Sequence, residues 1–218
     1  MLPRILILGK AGPPGTAKTR LIPALGPEGA DFVHQTIARA TVTRAARWAP
    51  DHTQIAIDPF QQPPPEWTSG LPLSPQPSGD LGVRLRVLTA RAFEQDPTPL
   101  IVLGTDAPDL PEDRLVEAAA ACRDGHAAIC PSRDGGYNLI ALPHNCPELL
   151  TDIPWGTNQV TEATRFAAAA YGISLRETQG WDDVDDLAGL ARLLARLSDC
   201  SDKALLQLRT DLNRVKLP

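Results

Sequence analysis

The sequence predicts an α/β fold built on a mostly parallel sheet. Short apolar runs such as RILILG and PLIVLG have the composition of strands that are buried on both faces. Longer segments with helical periodicity separate these runs, so strand and helix alternate along the chain. The length of 218 residues suits one folded unit, and we expect a single domain over residues 1–218.

The elements are predicted in the following order. RILILG is the first strand, residues 26–49 form a helix, and TQIAID is the second strand. The amphipathic LGVRLRVLTARAFEQ precedes the strand PLIVLG, and PEDRLVEAAAAC is a helix with Pro111 and acidic residues in its first turn. HAAICPS and YNLIAL are two more strands. TNQVTEATRFAAAAYG is a helix with Thr157 as N-cap and Gly172 as stop, ISLRET is a late strand, and the tail from Leu187 is helical.

One segment breaks this alternation. Residues 59–79, PFQQPPPEWTSGLPLSPQPSG, are rich in Pro, Ser and Gln, which excludes a regular helix. We predict a long surface loop within the domain. An inert loop and a loop that lies over a functional site both fit this composition.

Charge and cysteine usage narrow the function classes. The formal net charge of −5 argues against nucleic acid or an anionic membrane as the main partner. No apolar run approaches the roughly 18 residues that cross a bilayer, and MLPRILILG is expected to be a strand rather than a signal peptide. The cysteines lack C-x-x-C spacing and are expected to be reduced thiols in a cytoplasmic protein; they are Cys122, Cys130, Cys146 and Cys200.

The loop KAGPPGTAKTRL follows the first strand and carries three cations. Lys10, Lys18 and Arg20 would neutralise a polyphosphate, and Gly12 and Gly15 would let the backbone approach it. A solvated basic loop is the alternative.

The inner sequence GPPGTAKT differs from an ATPase P-loop by one residue, which raises a further alternative. A P-loop requires a helix that starts directly after the Lys-Thr pair. Pro23, Gly26 and Pro27 leave room for only a brief helix there, and the strand end at Asp106 lacks a following acid. These features disfavour a P-loop NTPase.

Acidic residues that could bind a metal occur in two later segments of the chain. Asp106, in GTDAPDL, comes at the end of a central strand and suits Mg²⁺, which prefers oxygen ligands. Asp109 is the better candidate for the cap of the next helix. In WDDVDDL, Asp183 and Asp185 alternate across Val184 and would share one face. A solvated turn in which Asp185 or Asp186 caps a helix remains open.

Several motifs taken together resemble one family. In order, KAGPPGTAKTRL, ALGPEGA, GDLGVRL, GTDAPDLP, DGGYNLIAL, DIPWGT and DVDDL look like the DUF2064 glycosyltransferase-like family of nucleotide-diphospho-sugar transferase-type proteins. The resemblance covers nearly the whole chain. It implies a three-layer α/β/α Rossmann-like fold of GT-A type with a mostly parallel mixed sheet. The family is similar to guanylyltransferases of deazaflavin-cofactor biosynthesis and to molybdenum-cofactor nucleotidyltransferases.

The resemblance also implies roles for individual residues. Catalytic roles fall to Lys10, Lys18, Arg20 and Asp106, and metal binding to Asp106, Asp183 and Asp185. The nucleotide would contact Gly12, Gly15, Lys18, Arg20, Gly79, Asp80 and Gly82. The acceptor side would be lined by Asp134, Gly135, Gly136, Tyr137 and Trp155.

The implied activity is that of a transferase dependent on Mg²⁺ or Mn²⁺. The cationic loop favours nucleotidyl transfer from a nucleoside triphosphate to a small phosphorylated acceptor, because a leaving pyrophosphate carries high charge. Glycosyl transfer from a nucleotide-sugar to a small-molecule acceptor is the alternative. The family's T-P-E-D after D-V-D is replaced by Asp186-Leu187-Ala188-Gly189, so an inactive nucleotide-binding protein also stays open. The protein is expected to be a monomer or homodimer.

Overall fold

The fold is seen in a computed structural model, which describes residues 3–215. The strands are β1 (Arg4–Lys10), β2 (Thr53–Asp58), β3 (Leu73–Pro75), β4 (Leu100–Leu103), β5 (Ala127–Pro131), β6 (Tyr137–Leu142) and β7 (Leu175–Glu177). The helices are α1 (Ile22–Trp48), α2 (Leu81–Gln95), α3 (Glu112–Arg123), α4 (Val160–Ala170), α5 (Leu187–Arg196) and α6 (Lys203–Leu212). The tail that was predicted to be helical from Leu187 includes α5 and α6. Its last residues, 216–218, lie outside the described residues.

The strands form one mixed, seven-stranded sheet in the order β3-β2-β1-β4-β6-β5-β7. β1 is parallel to both of its neighbours, β2 and β4, whereas β6 is antiparallel to β4 and β5. The chain therefore moves from β1 toward β3 on one side and begins again with β4 on the other. Such a switch point leaves a crevice at the carboxyl ends of the adjacent strands, where α/β proteins bind ligands.

Helices cover both faces of the sheet and make three layers. Ile5 and Ile7 of β1 pack in a cluster that includes α1 and α3, and Leu6 packs on the opposite face against α2. Successive residues of a strand point to opposite faces, so a central strand must be apolar throughout. A separate cluster joins α1 to α5 and α6. The predicted α/β class and mostly parallel sheet are confirmed.

The first helix is kinked near its start. Gly26 has φ 71° and ψ 169°, which is not helical, and Pro27 follows it. Glycine adopts this left-handed backbone without the steric cost of a Cβ. The segment after Thr19 is therefore one short turn before the break, as the sequence predicted. A P-loop would need an uninterrupted helix at this point.

The Pro-rich segment differs from the expected surface loop. It contains the short edge strand β3, which pairs with β2, and a 3₁₀ turn at Glu66–Thr68. Trp67 in that turn is only 2% exposed and packs in the cluster beneath β1. A Cβ on Gly9 of β1 would lie 2.5 Å from the Trp67 ring, so the glycine makes room for the indole. The segment is thus anchored to the sheet by a buried aromatic side chain.

Replacing Trp67 with alanine is expected to lower the free energy of unfolding by about 3–5 kcal/mol, the cost of emptying a large buried site. Chemical denaturation followed by circular dichroism measures this change. Phe60→Ala is the matched control, because Phe60 lies in the same segment but is 44% exposed. An equal effect of both substitutions would contradict the anchoring role of Trp67.

Thr157 and Asp109 do not cap the helices that they were predicted to cap. Of the two candidates for the cap of α5, Asp185 and Asp186, the second is confirmed. α4 begins at Val160 after Gln159, and Thr157 instead donates its hydroxyl to the Pro154 carbonyl at 2.8 Å in the preceding turn. α3 has Pro111 as N-cap, not Asp109. Asp186, in contrast, caps α5 by accepting the Gly189 N–H at 2.7 Å. The two errors arise because each polar side chain has a competing partner outside the helix.

Neither a membrane-spanning helix nor paired cysteines were expected from the sequence. Within residues 3–215, no helix combines the length and hydropathy of a membrane span. All four cysteines are free, and Cys122, Cys130 and Cys146 are buried. Burial raises the pKa of the Cys146 thiol to about 11, so it stays protonated at neutral pH.

Candidate active site

A cleft of about 770 Å³ opens at the carboxyl ends of β1, β2 and β4. This is the switch point of the sheet, and the volume suits a nucleotide-sized ligand. One wall comes from the loop after β1, the floor from the end of β4, and the opposite wall from the segment before α2. The lining residues used below are Lys10, Lys18, Arg20, His34, Asp58, Gln76, Gly79, Asp80, Arg84, Asp106 and Asp185.

Lys18 lies at the centre of the cleft and joins two distant parts of the chain. Its Nζ is 2.7 Å from an oxygen of Asp106 and 3.1 Å from an oxygen of Asp185, and its side chain is 4% exposed. Burial alone would lower the pKa of Lys18, but the two carboxylates raise it above its ordinary value. The buried ammonium therefore remains charged.

The backbone of Lys18 is also unusual. Its φ of 49° and ψ of 42° place a non-glycine residue in the left-handed region. Such a conformation costs on the order of 1 kcal/mol and persists where surrounding contacts impose it. The two carboxylates supply those contacts, and the conformation turns the long side chain into the cleft.

The other two cations of the loop lie at the mouth of the cleft. Lys10, the last residue of β1, is exposed, and Arg20 lies 3.6 Å from Asp185 with its side chain 71% exposed. All three predicted phosphate-binding cations thus line one cleft. A triphosphate entering it would meet one buried and two exposed positive charges.

Asp106 is paired with Lys18 rather than grouped with the other acids. Desolvation opposes ionisation of Asp106, yet the neighbouring Lys18 ammonium holds the pKa of this carboxyl below its usual range. The main chain fixes its position, because the Val184 N–H donates to the Asp106 carbonyl at 2.9 Å. This hydrogen bond also joins the end of β4 to the segment that carries Asp183 and Asp185.

Three carboxylates, Asp134, Asp183 and Asp185, form an acidic triad. One oxygen from each lies within 4.8 Å of the others. The predicted proximity of Asp183 and Asp185 is correct, since the buried Val184 between them turns both toward the same side. The third member of the triad is Asp134, which was expected on the acceptor side, whereas Asp106, the other expected metal ligand, pairs with Lys18.

The electrostatics of the triad fit a hard divalent cation. Burial, together with the charges of Asp134 and Asp185, raises the pKa of Asp183 to about 6. A divalent cation would offset the repulsion between these neighbouring carboxylates. Closely spaced carboxylate oxygens are the donor set that Mg²⁺ and Mn²⁺ take in proteins. The residues present thus fit the expected metal.

The wall opposite the loop is an ordered polar network, of which Asp58 and Gln76 were not predicted from the sequence. Arg84 donates to the Gly79 carbonyl at 2.8 Å and to Asp58 at 2.7 Å. The Gln76 amide donates to the carbonyls of Gly9 and Ala56, both at 3.0 Å, which locks its orientation. Gln76 belongs to the Pro-rich segment, so that segment contributes directly to the cleft.

Some of the predicted glycines shape the site without lining the cleft. A Cβ on Gly12 would lie 2.2 Å from the Thr16 hydroxyl, and Gly15 has φ 93°, so both are needed for the tight loop. Gly82 is buried, and a Cβ there would lie 2.6 Å from the Trp155 indole nitrogen. Of the predicted nucleoside segment, Gly79 and Asp80 line the cleft and Gly82 does not. Asp80 also caps α2 by accepting the Val83 N–H at 2.8 Å.

The residues expected on the acceptor side are mostly structural. Tyr137 and Trp155 pack edge to face, with ring centroids 5.9 Å apart, against apolar clusters. A Cβ on Gly135 would overlap the Asn158 backbone, and the Gly136 carbonyl accepts the Thr161 hydroxyl at 2.6 Å. Gly135 and Gly136 therefore fix the β5–β6 turn, and Tyr137 and Trp155 pack against the core. Among the predicted acceptor residues described by the structure, only Asp134 belongs to the acidic triad.

Asp109 is the centre of a hydrogen-bonded network next to the site. Its side chain is 4% exposed and accepts from Arg196 Nε at 2.6 Å and from the Trp181 indole at 3.2 Å. Arg196 also contacts Asp182 at 3.2 Å. The network ties α5 and the segment before the triad to the end of β4.

Asp109→Ala is expected to lower the free energy of unfolding by about 3 kcal/mol, because it leaves a partly buried Arg196 without its main partner. Thermal or urea denaturation measures the loss. Asp113→Ala is the control, since the Asp113 side chain is 62% exposed and its ion pair with Arg114 contributes little. A loss of unfolding free energy in Asp109→Ala no larger than that in Asp113→Ala would contradict the supporting role of Asp109.

Comparisons with known proteins agree with the fold. The family model described as "Uncharacterized protein conserved in bacteria (DUF2064)" matches residues 33–157, more than half of the 218-residue chain. No curated protein matches the sequence. A crystal structure described as that of a "putative nucleotide-diphospho-sugar transferase" from Desulfovibrio desulfuricans G20 is 25% identical, with 98% of each chain covered and a TM-score of 0.84.

Two structures of lower sequence identity are similar to this chain in fold only. A cytidylyltransferase from Leptospira borgpetersenii is 10% identical over 98% of this chain and 95% of that chain, with a TM-score of 0.57. The manganese complex of Rv0371C from Mycobacterium tuberculosis H37Rv is 16% identical over 88% of this chain and 98% of that chain, with a TM-score of 0.51. The predicted three-layer fold of nucleotide-diphospho-sugar transferase type is confirmed.

Proposed function

The chain belongs to the DUF2064 family, and from this premise we propose that it is a transferase that uses a nucleotide donor and a divalent metal. The observation that carries the proposal is the position of Lys18. Its buried ammonium links Asp106 at the end of β4 to Asp185 of the acidic triad, inside the 770 Å³ cleft. Cationic donors and acidic metal ligands thus converge where phosphates would lie.

Nucleotidyl transfer is the reaction that these charges support best. An oxygen of the acceptor's phosphate attacks the α-phosphorus of a nucleoside triphosphate, and the bond from that phosphorus to the bridging oxygen breaks. Pyrophosphate leaves with the electron pair of that bond. The attacking phosphate is already ionised, so no proton has to be removed from it. Lys10, Lys18 and Arg20 would stabilise the charge that builds up on the leaving pyrophosphate.

The triad would hold the metal and Asp106 would hold Lys18. A cation bound by Asp134, Asp183 and Asp185 would supply Lewis-acid neutralisation of the phosphate oxygens. Asp106 would keep the Lys18 ammonium charged and directed into the cleft. On the other wall, Arg84 and Gln76 form a rigid surface suited to the nucleoside. The manganese bound to Rv0371C supports a divalent-cation requirement by analogy of fold only.

Glycosyl transfer is the second candidate. It is favoured by the description of the Desulfovibrio desulfuricans protein as a nucleotide-diphospho-sugar transferase. In that reaction an acceptor hydroxyl attacks the anomeric carbon of the sugar, the bond from that carbon to the diphosphate breaks, and the hydroxyl proton passes to a base or to solvent. The leaving nucleoside diphosphate would occupy the same cationic loop.

Thermal denaturation with Mg²⁺ and panels of ligands separates the two reactions. Stabilisation by a nucleoside triphosphate but not by nucleotide-sugars supports nucleotidyl transfer, since a bound ligand raises the melting temperature. Stabilisation by nucleotide-sugars alone would replace it with glycosyl transfer. No stabilisation by any member of either panel would contradict a nucleotide donor altogether.

A further inference from the structure

A second cleft, of about 400 Å³, lies beside the acidic triad. Its lining includes Arg133 from the β5–β6 turn and Asp182 from the segment before α5. Asp134 and Asp183 of the triad directly follow these two residues in the sequence, whereas Asp185 lines the larger cleft. The triad therefore lies between the two clefts.

Trp181 forms a rigid wall of this second cleft. Its indole N–H donates to Asp109, its backbone N–H donates to the Pro131 carbonyl at 2.9 Å, and its carbonyl accepts from the Asn138 amide at 2.7 Å. The Arg196 guanidinium lies 5.2 Å from the ring centroid. The half-buried ring is thus held in place from several sides. A fixed aromatic surface binds a ligand with little loss of conformational entropy.

Arg133 supplies an uncommitted positive charge at the same cleft. It lies at the tip of a turn closed by the Ser132 N–H to the Gly136 carbonyl at 2.9 Å and by the Gly136 N–H to Asp134 at 2.9 Å. Within residues 3–215, Arg133 forms no ion pair or side-chain hydrogen bond. Arg196, which also lines the cleft, is already paired with Asp109 and Asp182.

We propose that this cleft binds the acceptor: a small molecule with an oxyanion group that pairs with Arg133 and a flat or apolar body that packs on Trp181. The role of the bound molecule as acceptor rests on the proposed function, whereas the binding site itself does not. The volume lies in the range of small-molecule pockets. Its position places such a molecule on the opposite side of the triad from the nucleotide.

Nuclear magnetic resonance tests this site directly. The ¹⁵N-labelled protein is titrated with phenyl phosphate, with benzoate and with the uncharged phenol, and the Trp181 indole resonance is identified by its absence in Trp181→Phe. Saturable shifts of that resonance are expected with at least one anion. Arg133→Gln should weaken this binding about tenfold or more, the value of a lost charge-assisted hydrogen bond. Phenol should bind more weakly to a similar degree.

Arg91→Gln is the matched control, because Arg91 is an exposed arginine on α2 outside both clefts, and it should leave the anion affinity unchanged. No shift of the Trp181 resonance with either anion, or equal affinity in Arg133→Gln, would overturn the proposal. Competition between a nucleoside triphosphate and phenyl phosphate for Trp181 would also overturn it, since the cleft would then belong to the donor. Anion binding at Trp181 without any nucleotide binding would refute the donor proposal alone.

Discussion

Replacing Lys18 with methionine is expected to slow group transfer by about 10³-fold, the cost of removing one donor that stabilises developing charge. Methionine keeps the length and volume of the side chain but cannot contact a phosphate or either carboxylate. The affinity for the nucleotide should fall as well, because the buried ammonium is present before the ligand arrives. Steady-state kinetics with the donor identified by the ligand panels measures both effects.

Lys203→Met is the matched control for this substitution. Lys203 is the exposed first residue of α6, so the same change of side chain there removes no charge from the cleft. Circular dichroism of Lys18→Met checks that the fold is retained when Asp106 and Asp185 lose their common partner. Equal transfer rates in the folded Lys18→Met protein and in Lys203→Met would contradict the role of Lys18.

Replacing Asp185 with asparagine is expected to weaken Mn²⁺ binding at least about 100-fold, because even the loss of a residue that only supports a metal ligand costs 10–100-fold. Asp185 also contacts Lys18 and lines the cleft, so transfer should be lost together with metal binding. The fraction of free Mn²⁺ can be measured by electron paramagnetic resonance. Asp186→Asn is the control, since asparagine still caps α5 while the neighbouring charge is removed.

The same site predicts the pH dependence of metal binding. The pKa of Asp183 is raised to about 6, so below that pH the carboxyl carries a proton that a metal must displace. The affinity for Mn²⁺ should therefore rise as the pH increases through about 6 and level off above it. A constant affinity between about pH 5 and pH 7.5 would contradict the participation of Asp183.

The sequence predicted the fold well because its strands are buried on both faces and therefore read as continuous apolar runs. RILILG and TQIAID correspond closely to β1 and β2. The edge strand β3 was missed because it is three residues long, ends in Pro75 and lies in a Pro-rich segment. The burial of Trp67 was also not predictable, since it depends on the space left by Gly9, a residue distant in sequence.

The candidate site was predicted only in part, because some of its contacts join residues that are distant in sequence. The rule that ligands bind at strand ends found Lys10 and Asp106, but Asp58 satisfies the same rule at the end of β2 and was overlooked. Alternation across Val184 correctly paired Asp183 with Asp185. The ion pairs of Lys18 with two carboxylates far along the chain follow from tertiary structure, and no local pattern predicts them. The same holds for the place of Asp134 in the triad.

The most direct test of the central claim is calorimetric titration of the protein with each common nucleoside triphosphate in the presence of Mg²⁺. We expect at least one to bind with one-to-one stoichiometry, and we expect its affinity to fall about tenfold or more both in Lys18→Met and when Mg²⁺ is removed. Absence of binding by every triphosphate, or equal affinity in Lys18→Met, would contradict a cleft in which Lys18 receives the phosphates of a nucleotide donor.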